Sequence, residues 1–219
     1  VMSLASASSS LNVGFDSSGK FFCSFGSNRL TASSSNFSAS DWNHFVCTFD
    51  SQSKQRVLYI NSEPVINDTI TSAPSSNFAN SVVGSNADQN NNFYDGDLDE
   101  VSIYNTYLNI SQVEELYRFF VLNDPTRISP TRTNTATFTR SRTPTITNTP
   151  FPLDIKRDNF VARYTFNEPA GAISFANAVT TSNPAVCPLT CPTAGTTGVR
   201  FSNAISFTGT ESLKLTKTI

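Results

Sequence analysis

The sequence predicts an all-β fold, an antiparallel β-sandwich with one short helix, followed by an extended Thr/Pro-rich linker. Three observations point there. Short runs alternate apolar and polar residues between turns rich in Gly and Asn. Apolar residues make up 38% of the 219 residues and charged ones only 15%, so Ser, Thr and Asn supply most of the polar surface. Strands tolerate Thr, and turns use Asn and Gly. Phe occurs 18 times against one Met and one Trp, a usage that suits sheet cores.

In chain order, Leu11–Phe15 and Lys20–Phe25 read as strands around an Asp-Ser-Ser-Gly turn at 16–19, a hairpin. Leu30 and Thr31 open a short edge segment. Trp42–Asp50 alternates Trp42, His44, Val46 and Thr48 with Asn43, Phe45, Cys47 and Phe49. Both faces are bulky, as in a strand covered on one side and packed against a loop on the other. Arg56–Asn61 is the next strand, and Asn61-Ser62 supplies a tight turn into Glu63–Ile66. Ser81–Ser85 and Asp97–Tyr104 follow, with a polar loop at 86–92 between them. Val113, Leu116, Tyr117 and Phe120 then fall three and four apart, the single apolar stripe of a helix over 111–120. Asn109 or Ser111 can cap it, and Glu114 and Glu115 sit in its first turns, where the helix dipole favours negative charge.

Composition changes at Asn123. From Thr131 to Thr149 every odd position is Thr except Ser141. Such a tract reads as an extended linker or stalk, because it has no core-forming set. Thr131, Thr133, Thr135, Thr137, Thr139, Thr143, Thr145, Thr147 and Thr149 are candidate glycan acceptors. Asn36, Asn67 and Asn109 open N-glycosylation triplets. Strict alternation leaves Arg132, Asn134, Ala136, Phe138, Arg140, Arg142 and Ile146 on the other face, which predicts a strand laid on a folded domain or a neighbouring copy. Folded sequence resumes at Asn159. Phe160–Phe166 alternates and 167–171 turns; the two-cysteine loop, Gly195–Arg200, Ala204–Phe207 and Leu213–Leu215 come next.

The stretch Phe93–Phe120, FYDGDLDEVSIYNTYLNISQVEELYRFF, resembles the laminin-G-like, concanavalin-A-like family when taken with Trp42–Asp50 and Arg56–Asn61. Domains of that family end in a motif close to G-x-(I/L)-D-E-V-x-I-Y-N followed by a short helix. Ser62 stands where the family's hairpin usually has Gly. Phe160–Phe166 and Ala204–Leu215 resemble the opening of another such domain. The resemblance implies a jelly-roll sandwich and three parts: 1–122 as the later part of one domain, 123–158 as the linker, and 159–219 as the early part of a second or complementing domain. It also implies that one strand is missing between Ile219 and Val1 in cyclic order. Residues 159–219 then complete the sandwich begun by 1–122 or one in a neighbouring subunit, unless the chain was cut from a longer repeat protein.

A net charge of -2 and a pI near 5.4 exclude a general nucleic-acid binder, which needs a basic patch. No apolar run is long enough to span a bilayer, and no signal-peptide pattern is present, so the secretion signal is expected outside this sequence. Cys187 and Cys191 are close enough for a small-loop disulfide. Cys23 and Cys47 bridge neighbouring strands or are two buried thiols. His44, the one histidine, lacks the partners of a nucleophile motif and reads as a packed residue. Asp97 and Asp99 share a face with Glu100 opposite, but paired carboxylates in that pattern do not match a sandwich glycosidase. Asp99 and Glu100 are expected to satisfy backbone donors of adjoining loops. Asp88, Asn90, Asn92, Asp95 and Asp97 could give oxygens to Ca2+, although Thr208, Glu211 and Ser212 replace the acids of the resembled family. The reading is therefore an extracellular, non-enzymatic structural or adhesion protein that self-assembles into a surface layer or filament. The alternative is a carbohydrate-binding module with Trp42, Tyr94 and Tyr104 contacting a glycan.

Overall fold

The computed structural model describes residues 1–5, 10–33, 37–71, 79–89, 92–122, 159–180, 182–199 and 202–216. The first segment contributes β1 (Met2–Ala5), β2 (Ser10–Phe15), β3 (Phe21–Phe25), β4 (Asn28–Thr31), β5 (Phe45–Phe49), β6 (Gln55–Ile60), β7 (Glu63–Thr69), β8 (Asn80–Val83), β9 (Asp95–Leu98), β10 (Val101–Tyr104) and α1 (Ile110–Leu122). The second contributes β11 (Phe160–Tyr164), β12 (Ser174–Phe175), β13 (Ala185–Val186), β14 (Thr193–Thr197), β15 (Asn203–Thr208) and β16 (Leu213–Leu215). All pairings are antiparallel. One sheet is continuous, in the order β12-β13-β16-β8-β1-β2-β3-β4. Opposite it lie three shorter pieces, β5-β6-β7, β10-β11 and β14-β15-β9.

The two segments interleave. β16 pairs with β8, so Leu213 lies opposite Val83; β15 pairs with β9, and β11 with β10. The core reflects the same mixture. Leu4 and Val83 pack in one cluster with Tyr164, Phe166, Phe175, Ile205, Phe207 and Leu213, all essentially without exposure. A second cluster, wholly within the first segment, sets Phe21, Cys23, Phe25 and Leu30 against Leu58 and Ile60. The Cys23–Cys47 disulfide ties β3 to β5 across the two layers. Burying such side chains is the dominant favourable term in folding, roughly 1.5–3 kcal/mol for each fully covered Leu or Phe.

β6 is buried on both faces, because Leu58 and Ile60 face the sandwich while Val57 and Tyr59 lie under α1 with Val113 and Leu116. The helix begins at a reciprocal cap. Asn109 Oδ1 accepts from the Gln112 amide at 3.0 Å, and Gln112 Oε1 accepts from the Asn109 amide at 3.0 Å. Asn109, not Ser111, is therefore the cap. At 16–19 the hairpin closes through Asp16 Oδ1, which accepts the amides of Ser18 and Lys20. Asn61 and Ser62 both take positive φ, 52° and 70°, the geometry of a two-residue hairpin turn that matches strand twist.

Several strands differ from the sequence expectation. Only Phe45–Phe49 of Trp42–Asp50 joins the ladder. At His44 the Asn61 amide still donates to the backbone carbonyl, but Asn61 Oδ1 takes the His44 amide and Asn61 Nδ2 donates to Asn43 Oδ1, so the Asn61 side chain interrupts the ladder there. Asp97–Tyr104 is two strands, not one, with Glu100 at φ 54° between them. The strand expected at Gly195–Arg200 starts at Thr193 and ends at Thr197.

Candidate functional site

Trp42, Asn92, Tyr94, Asp95, Asp97 and Tyr104 all line one cleft of about 1470 Å3 between the two layers. The fold thus brings together the three candidate aromatics and three of the five candidate calcium ligands. Asp88 lies in the turn before β9 and does not reach the cleft, and Asn90 lies outside the described residues. Among the described residues, no group of three His, Cys, Asp or Glu side chains converges as a metal site requires.

The aromatics are engaged in packing. The Tyr94 ring stacks on Phe15 at 6.3 Å and meets Phe207 edge-on at 6.0 Å, while its hydroxyl donates to the Asp97 carbonyl at 3.4 Å. Tyr104 sits 4.6 Å from Phe160, and burial pushes its hydroxyl up to about 12. Trp42 is half-buried at the cleft wall. His44 stacks on Tyr117 at 6.1 Å, and burial pushes its imidazole down to about 4, so it stays neutral at neutral pH.

The acidic residues divide into two pairs. Asp95 and Asp97, two apart on β9, are exposed. Asp99 and Glu100 turn inward at the kink and reach across to the second segment. Asp99 Oδ2 accepts from the Val199 amide at 2.9 Å and the Ser202 hydroxyl at 3.0 Å. Among the described residues its buried Oδ1 has no hydrogen-bond partner. Burial, and then the charge of Glu100, push the Asp99 carboxyl up to about 7. Gly198 makes the contact possible, since a Cβ there would come within 2.5 Å of Asp99 Oδ2 and 2.6 Å of the Asn203 carbonyl. Glu100 accepts from Arg163 Nε at 3.0 Å and pairs with Nη2 at 2.9 Å. Asp99 thus satisfies donors of a loop as the sequence suggested, but one a hundred positions away.

A second polar cluster was not legible in the sequence. Arg56 is wholly buried; it holds Asp68 through Nε at 3.1 Å and Nη2 at 2.6 Å and donates to the carbonyls of Cys23 and Asn28 at 3.1 and 2.9 Å. Its guanidinium also lies 4.9 Å from the Phe25 ring centre. The Asn61-Ser62 turn alone would set Arg56 opposite Asn67; a register shift between Leu58 and Tyr59 brings it opposite Asp68, and nothing in the sequence announces that shift. Glu211 closes the 208–211 turn, accepting from the Thr208 amide and hydroxyl at 2.8 and 2.6 Å.

Both disulfides are formed, Cys23–Cys47 and Cys187–Cys191, which accounts for all four cysteines. Of the candidate glycan acceptors, Asn67 is exposed on β7, and the Asn109 side chain is engaged as the helix cap. Asn36 and the Thr131–Thr149 set lie outside the described residues, as does the docking of Phe138 and Ile146.

These features, two β-layers with a short helix on the outer face and a cleft between the layers, define the class of the protein as a β-sandwich. The profile of the concanavalin A-like lectin/glucanases superfamily, laminin-G type, matches residues 1–114, and the chain belongs to that superfamily. No curated protein and no solved structure matches the chain.

Proposed function

We propose that the chain is a non-enzymatic structural or adhesion module of a secreted or cell-surface protein, of jelly-roll connectivity, that works by joining sandwiches into a layer or filament. One observation carries this reading. The strands on either side of the Thr/Pro tract build one sandwich together, through β8–β16, β9–β15 and β10–β11. The same pairings made between successive copies would join sandwiches head to tail, a heterologous contact that does not close on itself. The full use of cysteine in disulfides supports an oxidising compartment. Two of the four acidic groups at 95–100 are spent elsewhere, Asp99 on Val199 and Ser202 and Glu100 on Arg163.

A second reading has its own support, since Trp42, Tyr94 and Tyr104 meet at one cleft in a superfamily that includes lectins. Such a site would hold a glycan by stacking and hydroxyl hydrogen bonds, with or without Ca2+. Electron microscopy and light scattering of the intact protein, alongside a glycan array, separate the two. Ordered assemblies with no glycan signal are expected. A monomer that binds a defined glycan, or hydrolysis lost on Asp97→Asn, would replace the structural reading.

A further inference from the structure

The fold displays one of the N-glycosylation triplets in a form that fits its chemistry. Asn67-Asp68-Thr69 ends β7, and successive side chains of a strand point to opposite faces. Asp68 points inward, fixed by Arg56 Nε at 3.1 Å and Nη2 at 2.6 Å. Asn67 and Thr69 therefore share the outer face, and both are exposed. Asn67 lies opposite Val57, which packs under α1, so the triplet sits beside the helix on the outside of the sandwich. Neither side chain has a hydrogen-bond partner among the described residues. Elsewhere the fold uses its asparagines: the carboxamides of Asn12, Asn43, Asn61 and Asn203 all bond to neighbouring groups. The Asn109 triplet is committed likewise. Its Oδ1 is held by the Gln112 amide, and Ser111 lies within α1, where residues two apart do not face each other.

We propose that Asn67 carries an asparagine-linked oligosaccharide. The donor it requires is an oligosaccharide on a polyprenyl diphosphate, supplied in the secretory pathway. The Asn67 amide nitrogen bonds to the anomeric carbon of the first sugar as the bond from that carbon to the diphosphate oxygen breaks. The nitrogen loses one proton, and the lipid diphosphate leaves with the electron pair. The triplet requires a hydroxyl two residues on, and in an extended chain that hydroxyl and the amide stand on one side. The product is bulky and must remain at the surface. β7 permits this without disturbing the Arg56–Asp68 pair, because Asp68 stays on the inner face. The inference rests on the secreted placement proposed above and adds an orientation to it. A face that bears an oligosaccharide cannot lie in a packed contact between sandwiches. The outer face of β7 therefore looks to solvent in the layer or filament, and contacts between copies fall elsewhere.

The test passes the whole chain through a eukaryotic secretory pathway behind a cleavable leader and recovers it from medium and cells alike. Peptide mass spectrometry after peptide-N-glycosidase digestion in heavy-oxygen water should find Asn67 converted to labelled aspartate in most molecules. Asn67→Gln and Thr69→Ala should abolish the label at that position, whereas Thr69→Ser should keep it. After deglycosylation the Asn67→Gln variant should melt with the parent, which shows that the loss of label is not a loss of fold. A chain with Asn67 bare overturns the inference and leaves the assembly reading untouched. So does a label that survives Thr69→Ala, or one found at Asn109 alone. A glycan at Asn67 in a protein that stays monomeric keeps the inference and overturns assembly. In assembled protein a mannose-specific lectin should bind as well as it does to dispersed protein carrying only the Asn67 glycan. Loss of lectin binding on assembly overturns the orientation.

Discussion

At the end of the sandwich marked by Cys23, the layers are joined within 50 residues of sequence: a disulfide to Cys47, and Arg56 buried between Asp68, two backbone carbonyls and Phe25. At the other end the joining groups are Asp99 and Glu100, and their partners Val199, Ser202 and Arg163 lie beyond the Thr/Pro tract. The first end is covalent, and its cation is wholly buried although Asp68 reaches solvent. The second is held by no covalent bond, and its cation Arg163 is about a quarter exposed at 23%. The contrast teaches that the first segment carries its own fixed core, whereas its union with the second depends on strand pairing, shared apolar burial and a clasp that pH can loosen.

Breaking the first end should cost most. Arg56→Met leaves the Asp68 carboxylate and two carbonyls without their donor, and removing one partner of a buried pair costs about 3–5 kcal/mol. Denaturant titration of the variant should show that loss. A change below about 1 kcal/mol would mean the Arg56 network is dispensable. Next comes the Cys23→Ala, Cys47→Ala double variant, expected to lose about 3 kcal/mol from its 24-residue separation, against about 2 for the pair at 187 and 191 with a separation of 4. Equal losses would contradict the ranking.

How far each end could be read in advance follows the same division. The hairpin at 16–19, the Asn61-Ser62 turn and the Asn109 cap are set by neighbours in sequence, and their residues announce them. The superfamily motif at 96–105 was equally plain. The break between β9 and β10 was not, because alternation through Asp97–Tyr104 predicts one strand, and the partners that hold Asp99 and Glu100 at the kink, Val199, Ser202 and Arg163, are remote in sequence. Arg56 was hidden for a related reason. A charged residue at the head of a strand reads as solvated, and only the packing of β3 and β4 over it removes the water. β12 and β13, two residues each, are too short for any period to show.

The seam predicts a smaller, pH-dependent effect. Burial raises Asp99 from 3.8 to about 7, so between those values the folded protein keeps a proton that the unfolded chain has released. Stability from this group is therefore full below pH 4 and lost as pH rises through 7. His44, lowered from 6.5 to about 4, acts oppositely, its contribution growing as pH rises from 4 to 6.5. Asp99→Asn should remove the falling limb and leave the rising one, with a gain at pH 8 on the order of 2 kcal/mol, one pKa unit being about 1.36 kcal/mol. In the parent the two slopes offset each other between pH 4 and 6.5. The variant should therefore rise there, where the parent is nearly level, and should not fall toward pH 7. A variant profile of the parent's shape would contradict this. The smallest effect is at Glu100→Gln, about 1 kcal/mol, because its ion pair with Arg163 is open to solvent on one side. Thermal melts at low and high salt should show that loss shrinking as salt rises.

The pairing of the two segments is tested most directly by cutting between them. Neither disulfide crosses the tract, since Cys23–Cys47 lies before it and Cys187–Cys191 after it. A protease site placed within 131–149 therefore severs the chain without leaving a covalent link. The two pieces should co-elute under native conditions at the 23.8 kDa mass of the uncut chain and separate only in denaturant. Native elution of the pieces apart would contradict the shared sandwich, and co-elution at twice that mass would place the second segment in a neighbouring copy.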